Sequence, residues 1–341
     1  MANIPESAAE ILPTETPELF DRAVRRAVDL LRAGDVVALP TETVYGLAAN
    51  ALDAKAIAKI FAIKGRPAHN PIIAHVGDMD MARSCAAAWP DLAQKLAASF
   101  WPGPLTMVLP RAQNIPDLLT AGGPTVGIRW PSHPFIQAVI QKCGFPIAAP
   151  SANLSNRVSP TNASHVLSQL GDRVALIVDG GQCQVGIEST VVDLSESPPR
   201  LLRPGMIHRY ALVAALGELS AASDSRPSLL KSPGLLQKHY APRAKLTLCS
   251  WTTDHELRAH IQRTGFPAIK TQVIAHSHIP SSQGLDGVSV IPHDSEAFAR
   301  AIYAQLHECD RTGAQLIVVE ALPETDEWRA ISDRLNRAAT I

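Results

Sequence analysis

The sequence predicts an α/β protein built of two units, and three observations point to it. Amphipathic helical segments alternate with short apolar strands along most of the chain. The chain has 341 residues, 46% of them hydrophobic, which is enough to bury two cores. The alternation stops after Gly217 in a Ser- and Ala-rich stretch and resumes at Lys245. We therefore expect a larger domain over 1–217, a linker over 218–244 and a smaller domain over 245–341.

The first helix is predicted from its cap. Thr16 offers a side-chain oxygen at the N-cap, Pro17 suits the first turn, and Glu18 puts a negative charge at the positive end of the helix dipole. Apolar residues then recur at helical spacing until Gly34 ends the helix. A strand over 35–39 follows.

The rest of the first domain continues the alternation. Helices are predicted over 53–63, 91–100, 134–143 and 162–170. Strands are predicted over 72–76, 105–109, 126–130, 146–149, 174–178 and 190–194. Such an order predicts a mixed, largely buried sheet.

The second domain repeats the pattern on a smaller scale. Its predicted strands are 245–249, 272–275, 288–291 and 315–319, and its predicted helices are 254–264, 295–309 and 327–338. No glycine-rich G-x-G-x-x-G turn marks a dinucleotide site in it.

Composition narrows the function classes. No apolar run reaches the length of about 20 residues that crosses a bilayer, and the first 17 residues do not resemble a signal peptide, so a cytoplasmic protein without a membrane partner is expected. The 31 Lys and Arg residues are balanced by 32 Asp and Glu residues, which leaves a net charge of −1. Any contact with RNA would therefore be local or transient.

The five cysteines predict no metal centre and no disulfide framework. They are an odd number, widely spaced, and form no C-x-x-C pair. They are interpreted as small buried hydrophobic residues.

Five short polar motifs fall in predicted turns or at strand ends. They occupy 40–46, 64–75, 125–129, 151–153 and 186–190. Hydroxyls, guanidinium groups and a lysine that converge from loops can hold a polyphosphate beside a small polar substrate. The pattern indicates an enzyme.

Lys64 and Arg66 are candidates for phosphate binding, although the chain has no P-loop. They lie two residues apart at the end of a predicted helix, and Pro67 stiffens the turn that follows. Both cations could project into one cleft and neutralise a triphosphate. The alternative is a solvated pair that the helix dipole favours.

His75 closes one predicted strand and Arg129 lies within another, and each residue has two interpretations. A lone histidine in such a place is more often structural than functional. Arg129 interrupts an apolar strand, so its guanidinium needs an anionic partner. That partner is either Glu42 or Glu188, or it is the carboxylate of a bound substrate.

Ser151 follows the strand over 146–149, beyond the carboxyl end of which ligands gather in α/β sheets. It lacks a G-x-S-x-G turn and assignable His and Asp partners, so it is a poor nucleophile candidate. Its hydroxyl is better suited to donate to a phosphate.

These motifs together resemble the YrdC-like threonylcarbamoyl-AMP synthases. The resembling segments are 40–50, 64–75, 102–106, 149–155, 186–193 and 201–205. The long form of the family is indicated by Ser-Pro-Gly at 232–234, His-Tyr-Ala-Pro at 239–242 and Asp-Arg-Leu-Asn-Arg-Ala-Ala at 333–339. Several motifs in the family's order make the resemblance specific over nearly the whole chain.

The resemblance implies both a fold and a reaction. The fold would be a YrdC-like mixed twisted sheet with helices, followed by a smaller Rossmann-like α/β domain. The reaction would convert L-threonine, bicarbonate or CO2, and ATP into threonylcarbamoyl-adenylate and pyrophosphate, with Mg²⁺ accompanying ATP. The product would pass to the proteins that transfer the threonylcarbamoyl group to tRNA.

The resemblance also implies roles for matching residues. Those expected to hold threonine are Thr43, His75, Arg129, Ala149 through its backbone, and Ser189. Those expected to hold ATP are Lys64, Arg66, Asn70, Thr125, Ser151, Asn153, Ser159 and Arg203, with Tyr240 of the linker covering it. Lys64 and Arg66 are also the expected catalytic cations, and no protein side chain is expected to bind a metal.

One stretch departs from the family pattern. At 235–238 this chain reads Leu-Leu-Gln-Lys, where basic and aromatic side chains are expected, so the contacts of the linker are open. Two other functions are weighed. An RNA-binding or regulatory module is disfavoured by the neutral charge. A carbamoyl-transfer enzyme of the hydrogenase-maturation type would need an acylphosphatase-like segment and zinc-finger cysteines, which this chain lacks.

Overall fold

A computed structural model of the chain describes residues 9–220, 231–233 and 239–339. They divide into two compact units that interleave along the sequence. The first comprises Met1–Ser155, Pro160–Gln184 and Glu188–Leu235, and the second comprises Asn156–Ser159, Val185–Ile187 and Leu236–Ile341. Two short stretches of the N-terminal half therefore belong to the unit formed by the C-terminal half.

The first unit is built on one mixed sheet of ten strands, in the order β1-β8-β2-β3-β7-β4-β6-β5-β9-β10. The strands are β1 Glu10–Pro13, β2 Val37–Leu39, β3 Gly46–Asn50, β4 Ala74–His75, β5 Leu105–Pro110, β6 Thr125–Arg129, β7 Ile147–Ala148, β8 Leu176–Asp179, β9 Thr190–Asp193 and β10 Arg200–Arg203. The central strand β6 is parallel to β4 and antiparallel to β5. The predicted α/β class with a mixed sheet is confirmed.

Seven helices are described in this unit. They are α1 Pro17–Arg32, α2 Ala54–Lys64, α3 Met79–Ser84, α4 Asp91–Phe100, α5 Pro134–Cys143, α6 Ala163–Leu170 and α7 Arg209–Leu216. The predicted N-cap is confirmed, because the Thr16 side chain accepts a hydrogen bond from the amide of Leu19 at 3.3 Å.

Alternating side chains of the sheet pack into two hydrophobic cores. Val37 and Leu39 pack with α1 and α5 in one cluster, whereas Ala38 lies in the other cluster. Because successive residues of a strand point to opposite faces, the two clusters occupy the two faces of the sheet.

The second unit carries a parallel sheet of four strands in the order β11-β14-β12-β13. The strands are β11 Lys245–Cys249, β12 Thr271–Ala275, β13 Gly287–Val290 and β14 Leu316–Glu320, and the helices are α8 Asp254–Thr264, α9 Ser295–Thr312 and α10 Arg329–Ala339. This agrees with the predicted smaller α/β domain.

The predictions missed several short elements and made others too long. The strand predicted over 72–76 is reduced to β4, and that over 146–149 to β7. The sequence analysis did not find β1, β3, β10, α3 or α7. Elements of two to eight residues carry too few periodic positions to be recognised locally, and β3 reads as part of a polar motif.

The start of the predicted linker remains attached to the first sheet. Ser220 forms a bridge with Arg200 at the edge of β10. The departure at 235–238, together with Gly234, lies outside the described residues. No helix among the described residues is long and apolar enough to cross a membrane.

Candidate active site

The candidate site begins on one face of β6. Thr125, Gly127 and Arg129 alternate along this strand, so they share a face. Gly127 has no side chain, and a Cβ placed there would lie 3.3 Å from Ile73 Cγ1 and from Thr106 Cγ2. The glycine thus makes room for the side chains of Ile73 and Thr106, which approach the middle of this face between the Thr125 hydroxyl at one end and the Arg129 guanidinium at the other.

Arg129 is buried at the carboxyl end of β6. Its Nη2 lies 2.7 Å from Oε1 of Glu42, and both side chains are 5% exposed. Its Nη1 donates to Thr43 Oγ1 at 2.9 Å, and its Nε donates to the Gly103 carbonyl at 3.4 Å. Of the two acidic partners considered from sequence, Glu42 forms the ion pair. A guanidinium has five N–H groups, so these contacts leave capacity for a substrate carboxylate.

The charges around Arg129 fix the protonation of its neighbours. Burial alone would raise the pKa of Glu42, but the Arg129 guanidinium outweighs it and holds that pKa below its usual value. His75 lies opposite Arg129 in the register of β4 and β6. Burial and then the positive charge of Arg129 lower the pKa of His75 to about 3. Glu42 is therefore ionised and His75 neutral near pH 7.

The turn that carries Thr43 is fixed by Thr41. Its hydroxyl accepts the amides of Thr43 and Val44 at 3.2 and 3.3 Å, and lies 2.9 Å from the Thr43 hydroxyl. Thr43 is thereby held against Arg129.

Ser189 and Arg203, predicted to bind different substrates, contact each other. The Ser189 hydroxyl accepts from Arg203 Nη2 at 3.0 Å and lies 2.8 Å from Thr106 Oγ1. Arg203 Nε donates to the Ser189 carbonyl at 3.0 Å, and its Nη1 donates to the Pro233 carbonyl at 3.2 Å. This part of the site therefore touches the linker.

Lys64 is not solvated, and the alternative of an exposed pair is wrong. Gly65, at a φ of 59°, ends α2 directly after it. Lys64 is 2% exposed, and its Nζ donates to the carbonyls of Ser151 and Asn153, each at 2.5 Å. Burial, followed by the charge of Arg66, lowers the pKa of Lys64 well below its usual value. All the oxygens that Lys64 contacts belong to neutral groups.

Arg66 folds back on the segment before β4, and the buried side-chain amide of Asn70 has no hydrogen-bond partner among the described residues. Arg66 is 9% exposed, and it donates to the carbonyls of Asn70 and Pro71 at 3.1 and 2.8 Å. Asn70 is 1% exposed, yet neither its Oδ1 nor its Nδ2 has a hydrogen-bond partner among the described residues. A buried amide without partners calls for a ligand or ordered water.

Strand pairing brings these residues to neighbouring strand ends. β7 is antiparallel to β4, and the amide of Ala149 donates to the Ile73 carbonyl at 3.3 Å. The chain then continues to Ser151, close to the start of β4. Thr125 begins β6, which is parallel to β4, so it lies at the same sheet edge as Asn70.

The remaining two predicted ATP ligands belong to the second unit. Ser159 is fully buried, and its carbonyl lies 3.1 Å from His307 Nε2. Tyr240 stacks on Tyr303 with ring centroids 6.0 Å apart, and the Arg334 guanidinium lies 5.3 Å from its ring centre.

Sequence reasoning missed the supporting residues. Thr41, Gly103 and Thr106 position Thr43, Arg129 and Ser189, respectively. Each lies inside a motif that was noticed, but only the folded chain shows which hydroxyl or carbonyl is turned inward. Among the described residues, no group of three or more His, Cys, Asp or Glu side chains could hold a metal ion.

Comparisons with known proteins agree over the full chain. The family described as "Telomere recombination" matches residues 29–205, and the one described as "Threonylcarbamoyl-AMP synthase, C-terminal domain" matches residues 204–340. A threonylcarbamoyl-AMP synthase of Pyrococcus abyssi is 39% identical, with 93% of this chain and 94% of that protein covered. One of Bacillus subtilis is 38% identical, with coverages of 94% and 93%.

A solved structure is similar in fold. The crystal structure of P. abyssi Sua5 complexed with L-threonine superposes with a TM-score of 0.88 at 36% identity, and the match covers 98% of each chain.

Proposed function

This chain belongs to the threonylcarbamoyl-AMP synthase family, and we propose that it joins L-threonine, bicarbonate or CO2, and ATP into threonylcarbamoyl-AMP and pyrophosphate on the polar face of its first sheet. The observation that carries the proposal is a set of buried polar groups that the protein leaves without an anion or a partner. Lys64 contacts only neutral oxygens, and the Asn70 amide makes no hydrogen bond within the described residues. A bound nucleotide would supply what both lack.

L-threonine binds at the end of β6 where Arg129 lies. The guanidinium takes the substrate carboxylate with the N–H groups that Glu42, Thr43 and Gly103 do not use. The hydroxyls of Thr43 and Ser189 and the ring of His75 enclose the rest of the substrate, with the backbone of Ala149 beside it. Since His75 is neutral, it adds a hydrogen-bonding group without a second positive charge.

The phosphates of ATP bind at the other end of that face. Lys64 and Arg66 neutralise them, while Asn70, Thr125, Ser151 and Asn153 supply hydrogen bonds there. Arg203, also a proposed ATP contact, lies beside Ser189 at the Arg129 end, so the nucleotide extends along this face toward threonine. Ser159 and Tyr240, which the family resemblance also assigns to ATP, belong to the second unit. Mg²⁺ arrives as part of the MgATP substrate, held by phosphate oxygens and water, which suits an ion that keeps several waters.

The chemistry needs positioning more than a strong base. The threonine amine attacks the carbon of CO2 and loses a proton to form a carbamate. An oxygen of the carbamate then attacks the α-phosphorus, and the bond to pyrophosphate breaks in line. Holding the reactants in register and neutralising their charge can together lower the barrier by about 10 kcal/mol.

The linker acts as a lid that protects the labile carbamate from water. Support comes from its described part, because Lys231 donates to the buried Asp193 at 2.8 Å and the Pro233 carbonyl accepts from Arg203. Ser232 between them is 1% exposed. The transfer of the product to the tRNA-modifying proteins and a cytoplasmic location remain predictions.

The test is pyrophosphate release by the full chain. Release should require both L-threonine and bicarbonate, and L-serine should support it much less well, because the missing methyl group removes contact with the pocket. The product is identified by mass spectrometry as threonylcarbamoyl-AMP. Equal release without bicarbonate, or with any amino acid, would contradict the proposed reaction.

A further inference from the structure

The second unit contains a cavity of about 540 Å³ that the reaction above does not use. The residues that follow three of its strands line the cavity: 250–252 after β11, 276–278 after β12, and the end of β14 with 321–323. Its volume is in the range of small-molecule pockets.

The position in the fold is the one where doubly wound sheets bind ligands. The connections from β11 to β12 and from β13 to β14 run in opposite directions along the sheet. Right-handed crossovers therefore put α8 on one face and α9 on the other, and α10 contacts α9. The neighbouring strands β11 and β14 thus lead to opposite faces, and the crevice between their carboxyl ends is a topological switch point.

The backbone amides that would hold a phosphate there are already occupied. Glu320 ends β14, its side chain is 5% exposed, and it accepts the amides of His276, Ser277 and His278 at 2.7, 2.9 and 3.1 Å. These amides outweigh the effect of burial and hold the pKa of Glu320 below its usual value, so the carboxylate stays ionised. The Glu320 carboxylate therefore occupies the position at the strand ends where the backbone amides could bind an anion.

The free backbone amides at the N-terminus of α8 are likewise bonded by a carboxylate of the chain. Glu256 Oε2 accepts the amides of Thr252 and Thr253 at 2.7 and 3.3 Å and the Thr252 hydroxyl at 3.0 Å. Thr253 completes the capping box. Glu256 is exposed to solvent, and its Oε1 accepts no hydrogen bond from the described residues, so the carboxylate anchored through Oε2 keeps one oxygen for a ligand.

The charge of the cavity favours a cation over an anion. Two carboxylates line it, and none of the described residues in its wall is Lys or Arg. The rings of His276 and His278 also line it, and both face Glu320, with His278 Nδ1 2.9 Å from Glu320 Oε1. A smaller adjoining cavity, which shares Pro323, adds Glu324 and Asp326 against one cation, Arg329. Trp251, Leu322 and Pro323 provide apolar wall in the main cavity.

We propose that this cavity binds a small organic cation, a primary amine on a short apolar stem. The ammonium donates to Glu256 Oε1 in the field of Glu320, and the stem packs against the wall formed by Trp251 and Leu322. The second unit thus binds a cation at the position where a nucleotide-binding sheet of this topology binds an anionic nucleotide.

The experiment follows the backbone amide signals of the full chain by NMR. The probes are n-butylamine, n-butanol as its neutral analogue, inorganic phosphate and AMP. We expect n-butylamine to shift the signals of Thr252, Ser277 and His278 in a saturable way, with weaker shifts from butanol and none at these positions from phosphate or AMP.

Glu256→Gln tests the proposed contact. Glutamine can keep the capping box, so the fold should be retained while the affinity for butylamine falls about three- to fivefold. The matched control is Glu308→Gln on α9, which removes an exposed carboxylate paired with Arg311 and outside the cavity, and it should bind butylamine like the wild type. Saturable shifts of the Thr252, Ser277 and His278 amide signals by phosphate or AMP would overturn the proposal. So would unchanged butylamine binding in Glu256→Gln, or the absence of any shift with the amine.

Discussion

At the scale of single residues, the site is a set of charges removed from water. The Arg129 and Glu42 side chains are both 5% exposed, and Lys64 is 2% exposed. A buried ion pair seldom adds net stability, since its desolvation cost is close to its Coulomb gain. Such groups are therefore better explained by substrate binding than by a need for stability.

His75 should make the stability of the protein depend on pH. In the unfolded chain it binds a proton near its ordinary pKa of 6.5, whereas in the folded protein it does so only near 3. The unfolded state then holds more protons below pH 6.5, so stability falls as the pH drops. By pH 5 this loss should be about 2 kcal/mol relative to pH 7.

Urea denaturation of the wild type and of His75→Gln at both pH values measures this contribution. The variant should lose less stability than the wild type between pH 7 and pH 5. An identical loss in both proteins would mean that His75 is protonated in the folded state.

Lys64 should couple ATP binding to proton uptake. Its pKa is well below the usual value because burial opposes the charge, and phosphates beside it would raise that pKa again. Calorimetric titrations with ATP in buffers of different ionisation enthalpy should show net uptake of protons. The affinity for ATP should decline as the pH rises.

Lys64→Met keeps the length of the side chain without the charge. This substitution should abolish the proton uptake on ATP binding. It should also make the free energy of ATP binding about 2–4 kcal/mol less favourable, while L-threonine binding changes little. Proton uptake of the same size in the variant would assign it to another group.

At the scale of secondary-structure elements, β6 organises the substrates. It places Thr125 and Arg129 at the two ends of one face, and Gly127 between them makes room for the side chains of Ile73 and Thr106. β-branched residues are ordinarily favoured in such a strand. A glycine in this position is therefore best explained by the close approach of these two neighbouring side chains.

Gly127→Val should displace the side chains that lie over the middle of β6. The new Cβ would lie 3.3 Å from Ile73 Cγ1 and Thr106 Cγ2, so we expect about 1–2 kcal/mol of destabilisation from overpacking. Pyrophosphate release should fall at least tenfold, because a displaced Thr106 would move the Ser189 hydroxyl that it contacts, and a near-attack arrangement tolerates little displacement. Gly127→Ala is the graded control, with an intermediate effect. A folded Gly127→Val protein with wild-type kcat/KM would show that Thr106 does not position the substrates through Ser189.

At the scale of the whole molecule, the two units are interleaved along the sequence. Residues 156–159 and 185–187 are separated in sequence from the rest of the second unit, yet they belong to it. Gly186 packs closely within the second unit, since an added Cβ would lie 2.4 Å from the Ala299 carbonyl oxygen. Arg157 and Ala241 likewise form a bridge.

Removal of residues 236–341 should therefore lower pyrophosphate release while the first sheet stays folded. The two short stretches would lose the residues they pack against, and the proposed ATP contact Ser159 would lose its support. Activity assays with circular dichroism test this, and limited proteolysis should show new cleavage within 156–159. A truncated chain with full activity would contradict a role for the second unit in the reaction.

The sequence by itself determined the longer helices and the chemical class of the site. A cap such as Thr16, the last residue of a helix such as Lys64 and the spacing of apolar residues depend on hydrogen bonds and periodicity within one or two turns. The motifs from 40 to 205 were likewise local, and they were enough to identify the family.

Only the tertiary structure decided what these residues face. It shortened β4 and β7 to two residues, chose Glu42 over Glu188 as the partner of Arg129, and buried Lys64 against the 151–153 loop. It also assigned 156–159 to the second unit. The physical reason is that burial and pairing depend on groups far apart in sequence, such as Arg129 and Thr43, whose approach no local pattern encodes.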